Sequence, residues 1–261
     1  MKIHPWEANV VDRRILAVLL EGESDRLTFE KAFTLLLRSH TREDALQVFV
    51  FRGDVTINDE SGEPIDSDDV EENIVSFLRK ELRTLGLTHD DLLGIVHIGD
   101  LDAVYCKDEQ VVFRAARRAF YDAEQGLLFT RDVAATLSRN KNKREALNHL
   151  MELPALEFPC HDPALPRQIP HRFFYLGINL EHAFYGNANC GVDEKESRGL
   201  RFDEEYVSCL DEWVKFVMSL PCVGKTYEES CRNARKAENA FLPYTNLRFV
   251  IPFIASLFPK D

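Results

Sequence analysis

Apolar runs of strand length alternate with helically spaced apolar positions over the first hundred residues. Ile15-Leu16-Ala17-Val18-Leu19-Leu20 is an unbroken apolar run, which predicts a buried strand over 14–20. After it, Leu27, Phe29, Phe33, Leu36 and Leu37 recur at helical intervals and predict a helix over 24–38, with Ser24 as its N-cap. Leu46-Gln47-Val48-Phe49-Val50-Phe51-Arg52 predicts a second strand, ended by Gly53. Residues 54–68 carry Asn58, Asp59, Ser61, Gly62, Pro64 and Ser67, a loop composition. Residues 69–85 read as a second helix and 92–98 as a third strand. Strand–helix–strand–helix–strand predicts an α/β fold, a parallel sheet with helices on its faces.

The pattern changes after Asp102. Residues 108–125 and parts of 130–152 read as helices. Pro154, Pro159, Pro163, Pro166 and Pro170 then interrupt the chain, with a short strand expected at Leu156-Glu157-Phe158. Arg172-Phe173-Phe174-Tyr175-Leu176-Gly177 predicts a further strand leading into a helix near Asn179, and residues 201–257 read as helices. The expected division is an α/β domain over 1–185 and a helical C-terminal region over 186–261 packed on it.

Charge narrows the function. The 261-residue chain has a formal net charge of −12. Phosphate binding needs a basic surface, so a protein that simply coats nucleic acid is excluded, whereas an enzyme with a local basic groove is not. Six cysteines form no Cys-x-x-Cys pair. Met1-Lys2-Ile3-His4-Pro5-Trp6-Glu7 has no apolar core of the kind a signal peptide needs. Free thiols in a reducing cytoplasm are the expectation. No apolar run approaches the length of a membrane span.

The candidate chemistry sits at predicted strand ends. Glu21 closes the first strand, and Asp100 and Asp102 close the third. In an open parallel sheet the carboxyl ends of the strands gather at one edge, where ligands bind. Residues i and i+2 of an extended segment point the same way, so Asp100 and Asp102 are expected to face one site. If strands one and three are neighbours, Glu21 joins them, and hard oxygen donors of this kind suit Mg²⁺ or Mn²⁺.

These residues resemble a known family. Glu21-Gly22-Glu23-Ser24-Asp25 after an apolar strand, with Asp100-Leu101-Asp102 after a later one, looks like the Toprim domain of topoisomerases, primases, small RNA-maturing nucleases and OLD-family nucleases. The resemblance implies a Toprim-like (Rossmann-like) sheet, with Glu21 as metal ligand or general base and Asp100 and Asp102 as ligands of Mg²⁺ or Mn²⁺. The Glu21-to-Asp25 spacing resembles the primase and nuclease branches and brings Asp25 in as a further candidate ligand. A segment from Phe173 to Tyr185 resembles one that follows the Asp-x-Asp in OLD-like phage-defence nucleases, and it implies Glu181 as a further catalytic acid. Together these likenesses imply a metal-dependent nuclease acting on DNA or RNA in phage defence. The OLD-type ATPase module is missing from this sequence, so the resemblance also implies an ATPase partner on a separate polypeptide, for which this chain would be a regulatory module if degenerate.

Each signal has a plainer counterpart. A strand-end Glu21 can cap the next helix. Asp-x-Asp also occurs in glycosyltransferases and, followed by Thr, in phosphatases with an aspartyl nucleophile, but Val104 stands at that Thr position. Asp25 and Glu181 both lie where a helix dipole favours acids. Asp54 can serve a turn. His97 reads as a half-buried strand residue, and His182 lies beside Glu181. Cys160, His161 and Cys190 fit no standard zinc spacing. Ser138-Arg139-Asn140-Lys141-Asn142-Lys143-Arg144, with Arg114, Arg117, Arg118 and Arg131, reads either as a phosphate-binding track or as a solvated helix start. Gly224-Lys225-Thr226 matches the end of a P-loop, yet Ser219 stands where glycine is required. Phe173-Phe174-Tyr175 reads as core.

Overall fold

The computed structural model describes residues 14–40, 46–53, 69–115, 118–159, 166–207 and 209–258. Asp54, the acidic loop, Arg117, Cys160, His161 and the first thirteen residues fall outside them. The architecture is α/β. Strands β1 (Arg14–Leu20), β2 (Leu46–Arg52), β3 (Leu92–Asp100), β7 (Ala155–Phe158) and β8 (Arg167–Leu176) form one sheet in the order β2-β1-β3-β8-β7. The first four strands of that order run parallel, and β7 returns antiparallel on the edge. β1 and β3 are direct neighbours, as the site requires.

The period of two along β1 explains the layers. Ile15, Ala17 and Leu19 pack on the face that carries helices α2 (Val70–Thr84), α3 (Val133–Glu152) and α7 (Tyr227–Ala234). Leu16, Val18 and Leu20 pack on the other face, with α1 (Glu23–His40), α5 (Val192–Tyr206), α6 (Leu210–Ser219) and α8 (Val250–Ser256). With both faces covered, the central strands are apolar throughout, hence the unbroken run of β1. Phe173, Phe174 and Tyr175 of β8 are buried core.

Two elements differ from expectation. The described residues of 108–125 are not a helix. They hold two strands of a second sheet, β4 (Val111–Phe113) and β5 (Phe120–Asp122), which pair with β6 (Leu127–Thr130) in the order β4-β6-β5. Its inward side chains Val111 and Leu128 join the core shared with α2 and α3. Burying those two side chains supplies a tertiary contact that an isolated helix would lack, and this overrides local propensity. Second, α1 begins at Glu23, so Ser24 lies inside the helix rather than capping it. The contact at this helix start comes instead from Asp25, whose Oδ2 accepts the Gly22 N–H at 2.9 Å. No described helix is long and apolar enough to cross a membrane.

Candidate active site at the carboxyl edge

Strand parity decides where each acid points. Glu21 follows β1 in step with Ala17 and Leu19, on the α3 face. Asp100 ends β3 in step with Ile98, on the α1 face. The backbone N–H of Asp100 donates to Glu21 Oε1 at 3.0 Å and ties the two strand ends together. Gly99 makes room for this bond, since a Cβ there would meet Glu21 Oε1 at 2.9 Å.

Asp102 does not share a site face with Asp100 as an extended segment would require. The chain leaves the strand at Leu101, whose N–H bonds the carbonyls of Leu176 and Gly177. Asp102 and Ala103 then adopt left-handed backbone, with φ of 50° and 54°. For non-glycine residues this conformation is strained, and such strain concentrates at functional sites. The turn swings the Asp102 carboxylate toward α3, where Lys143 Nζ donates to Oδ2 at 2.8 Å and the Tyr121 hydroxyl donates to Oδ1 at 3.3 Å. Lys143 Nζ also lies 3.6 Å from Glu21 Oε1.

The other acids gather on the α1 side. Asp25 stands in the first turn of α1, and Glu181 in the first turn of α4 (Leu180–Tyr185), which Asn179 caps by accepting the His182 N–H. Glu181 is 1% exposed, and its Oε1 has no hydrogen-bond partner among the described residues. Lys195 Nζ of α5 stands 3.0 Å from its Oε2, an ion pair without hydrogen-bond alignment.

Electrostatics separate the two groups. Burial pushes Asp25 up to about 6, assisted by Glu181 and resisted by the Gly22 N–H. Burial, followed by the charges of Glu21, Asp25 and Asp102, pushes Asp100 well above the ordinary carboxylate range. Burial acts in the same direction on Asp102, but Lys143, Arg139 and the hydrogen bonds from Lys143 and Tyr121 overrule it and hold the group below that range. All five predicted acids therefore share one electrostatic cluster, divided into a Glu21–Asp102–Lys143 half and an Asp25–Asp100–Glu181–Lys195 half.

The cluster offers oxygen donors of the kind a hard divalent cation takes. It consists of carboxylate oxygens that repel one another, one of them buried without a hydrogen-bond partner among the described residues. Among the described residues no three acidic, histidine or cysteine side chains form a group that could hold a metal ion as they stand. Lys143, Arg139 and Lys195 supply the positive charge present.

Lys143 is a functional candidate that the basic stretch 138–144 concealed. That stretch is not a solvated helix start but the middle of α3, with Asn140 and Lys143 buried. The signal was available: Asn140, Lys143, Leu147 and Leu150 recur at helical spacing on the stripe that faces the sheet. His97 is fully rather than half buried, against His171 and Phe173, and burial holds it neutral. Buried His182 is held down to about 4 by the same cause.

No family profile matches this chain, and no curated protein or solved structure is detectably similar to it.

Proposed function

We propose that the chain is a Toprim-like, divalent-metal-dependent phosphoryl-transfer enzyme, a nuclease that cleaves DNA or RNA and serves in phage defence. One observation carries this reading: five carboxylates from two strand ends and two helix starts converge at the carboxyl edge of a parallel sheet, with two lysines among them. Asp25, Asp100 and Glu181 would hold Mg²⁺ or Mn²⁺ on the α1 side, and Glu21 and Asp102 would complete the set. Such an ion supplies Lewis acidity at a phosphoryl oxygen and a lowered pKa for water.

The chain's own groups do the rest. Glu21, fixed by the Asp100 N–H, would accept a proton from an attacking water. Lys143 is held by Asp102 where it can neutralise charge developing on a phosphoryl oxygen. Tyr121 orients Asp102 through its hydroxyl.

Calorimetry with Mn²⁺, on the wild type and on Asp100→Ala/Asp102→Ala, tests the reading together with cleavage of labelled DNA and RNA. Binding and metal-dependent cleavage in the wild type alone are expected. Full metal-dependent activity in the double variant would overturn it. A second reading, a regulatory module acting with a separate ATPase, is favoured by Lys143, which already pairs with both Glu21 and Asp102. Absence of Mn²⁺ binding by the wild type would select that reading.

A further inference from the structure

The small sheet β4-β6-β5 has an outward face that the catalytic reading leaves unused. Register places Val112, Phe129 and Phe120 in one row across its three strands. Alternation turns this row away from Val111, Leu128 and Tyr121, which face the protein. Arg114, two residues beyond Val112 on the same face, lays its guanidinium 4.9 Å from the Phe120 ring centroid and 5.6 Å from that of Phe129. Phe120 and Phe129 lie 6.3 Å apart at a tilt of 41°. Arg118 and Arg131 are exposed at the ends of the neighbouring strands. The acids nearby, Asp122 and Glu124, sit at the turn between β5 and β6, where Asp122 is engaged by the Gln125 N–H.

We propose that this face is a stacking platform for single-stranded polynucleotide, across the small sheet from the carboxylate cluster. A guanidinium stacked on a phenyl ring offers a flat cationic surface to the face of an unpaired base. Arg118 and Arg131 suit the phosphates on either side. A duplex hides the faces of its bases inside the stack, so the platform favours a single strand. A protein partner is less well matched, because the aromatic row is already covered by a cation and flanked by two more. The platform also adjoins the site. Tyr121, the residue after Phe120, projects from the opposite face and its hydroxyl reaches Asp102. A strand held on Arg114 over Phe120 lies on the opposite side of the small sheet from Asp102, in a protein whose overall charge is −12. That the bound strand is the substrate rests on the phosphoryl-transfer reading, whereas the binding does not.

Fluorescence anisotropy in EDTA separates the two. The probes are a labelled twenty-nucleotide oligodeoxyuridylate, the matching oligouridylate and a twenty-base-pair DNA duplex. The wild type is expected to bind at least one single strand more tightly than the duplex, with affinity falling as salt rises. Phe120→Ala and Arg114→Ala should each weaken binding about tenfold, the loss of roughly one stacked base. Phe120→Trp should restore it, and Arg83→Ala on the remote face of α2 should leave it unchanged. The ratio between the two single strands identifies the sugar preferred. Duplex binding as tight as single-strand binding, no binding of either strand at low salt, or equal affinity in Arg114→Ala and the wild type would each overturn the platform. Because no metal is present, a protein inactive as a nuclease leaves this outcome untouched.

Discussion

The two halves of the carboxylate cluster solve the same electrostatic problem differently. In the α3 half, one buried lysine sits 2.8 Å from Asp102 and 3.6 Å from Glu21, and Asp102 is held ionised. In the α1 half, Lys195 is partly exposed and reaches Glu181, while Asp25 and Asp100 resist ionisation. One half sets two cations, Lys143 and Arg139, against two carboxylates, and the other sets Lys195 against three. The deficit marks where an added cation gains most, because a buried carboxylate costs several kcal/mol unless it is paired. Residues that are electrostatically unfavourable at rest are characteristic of sites shaped for a ligand rather than for stability.

Removing the buried cation should have the largest effect. Lys143→Met leaves Glu21 and Asp102 facing each other and should cost about 3 kcal/mol in urea denaturation. A cost near zero would mean that the α3 half is not compensated by Lys143. Asp102→Asn and Asp100→Asn then split the halves by sign. The first loses an ion pair and should destabilise by about 1–2 kcal/mol. The second relieves a strained charge, so it should stabilise at neutral pH while Mn²⁺ binding is lost. This gain should shrink as the pH falls, because a carboxyl with a raised folded pKa costs nothing once protonated in both states. Equal signs for the two variants would dissolve the distinction.

Gly99→Ala tests the link between the halves. The added methyl would crowd Glu21 Oε1 and the Phe173 ring, and roughly 1–3 kcal/mol of destabilisation is expected, with weaker Mn²⁺ binding. The smallest effect concerns the core beside the cluster. Burial holds His171 down to about 4 and His97 below its ordinary range. Both are neutral when folded and can be protonated when unfolded. The stability they support is complete above the unfolded value of about 6.5 and is lost as the pH falls toward 4. His97→Leu should flatten the pH dependence of the thermal midpoint across that window; an unchanged slope would assign it to other groups. Among the described residues His97 Nδ1 has no hydrogen-bond partner to lose.

The strand ends were legible because β1 and β3 are buried on both faces, so an apolar run stops where an acid begins. Glu21 and Asp100 could be found in that way. The separation of Asp102 from Asp100 could not, because it depends on left-handed backbone at Asp102 and Ala103, and neither residue advertises that conformation. The small sheet was also hidden. Arg-Ala-Phe-Tyr-Asp-Ala-Glu over 118–124 contains no strand-length run, and β4 and β5 are only three residues each. Their pairing partner β6 and the core beneath supply the stability that local sequence lacks.

By itself the sequence determined the order of strands and helices over the first hundred residues, the edge on which the acids collect and an acidic surface, since these follow from apolar periodicity and from charge. Only the tertiary structure decided which acids are compensated. That depends on α3 delivering Lys143, on α5 delivering Lys195, and on a turn rotating one carboxylate away from its neighbour. Coulomb interactions depend on distance and burial, and neither quantity is set by spacing along the chain.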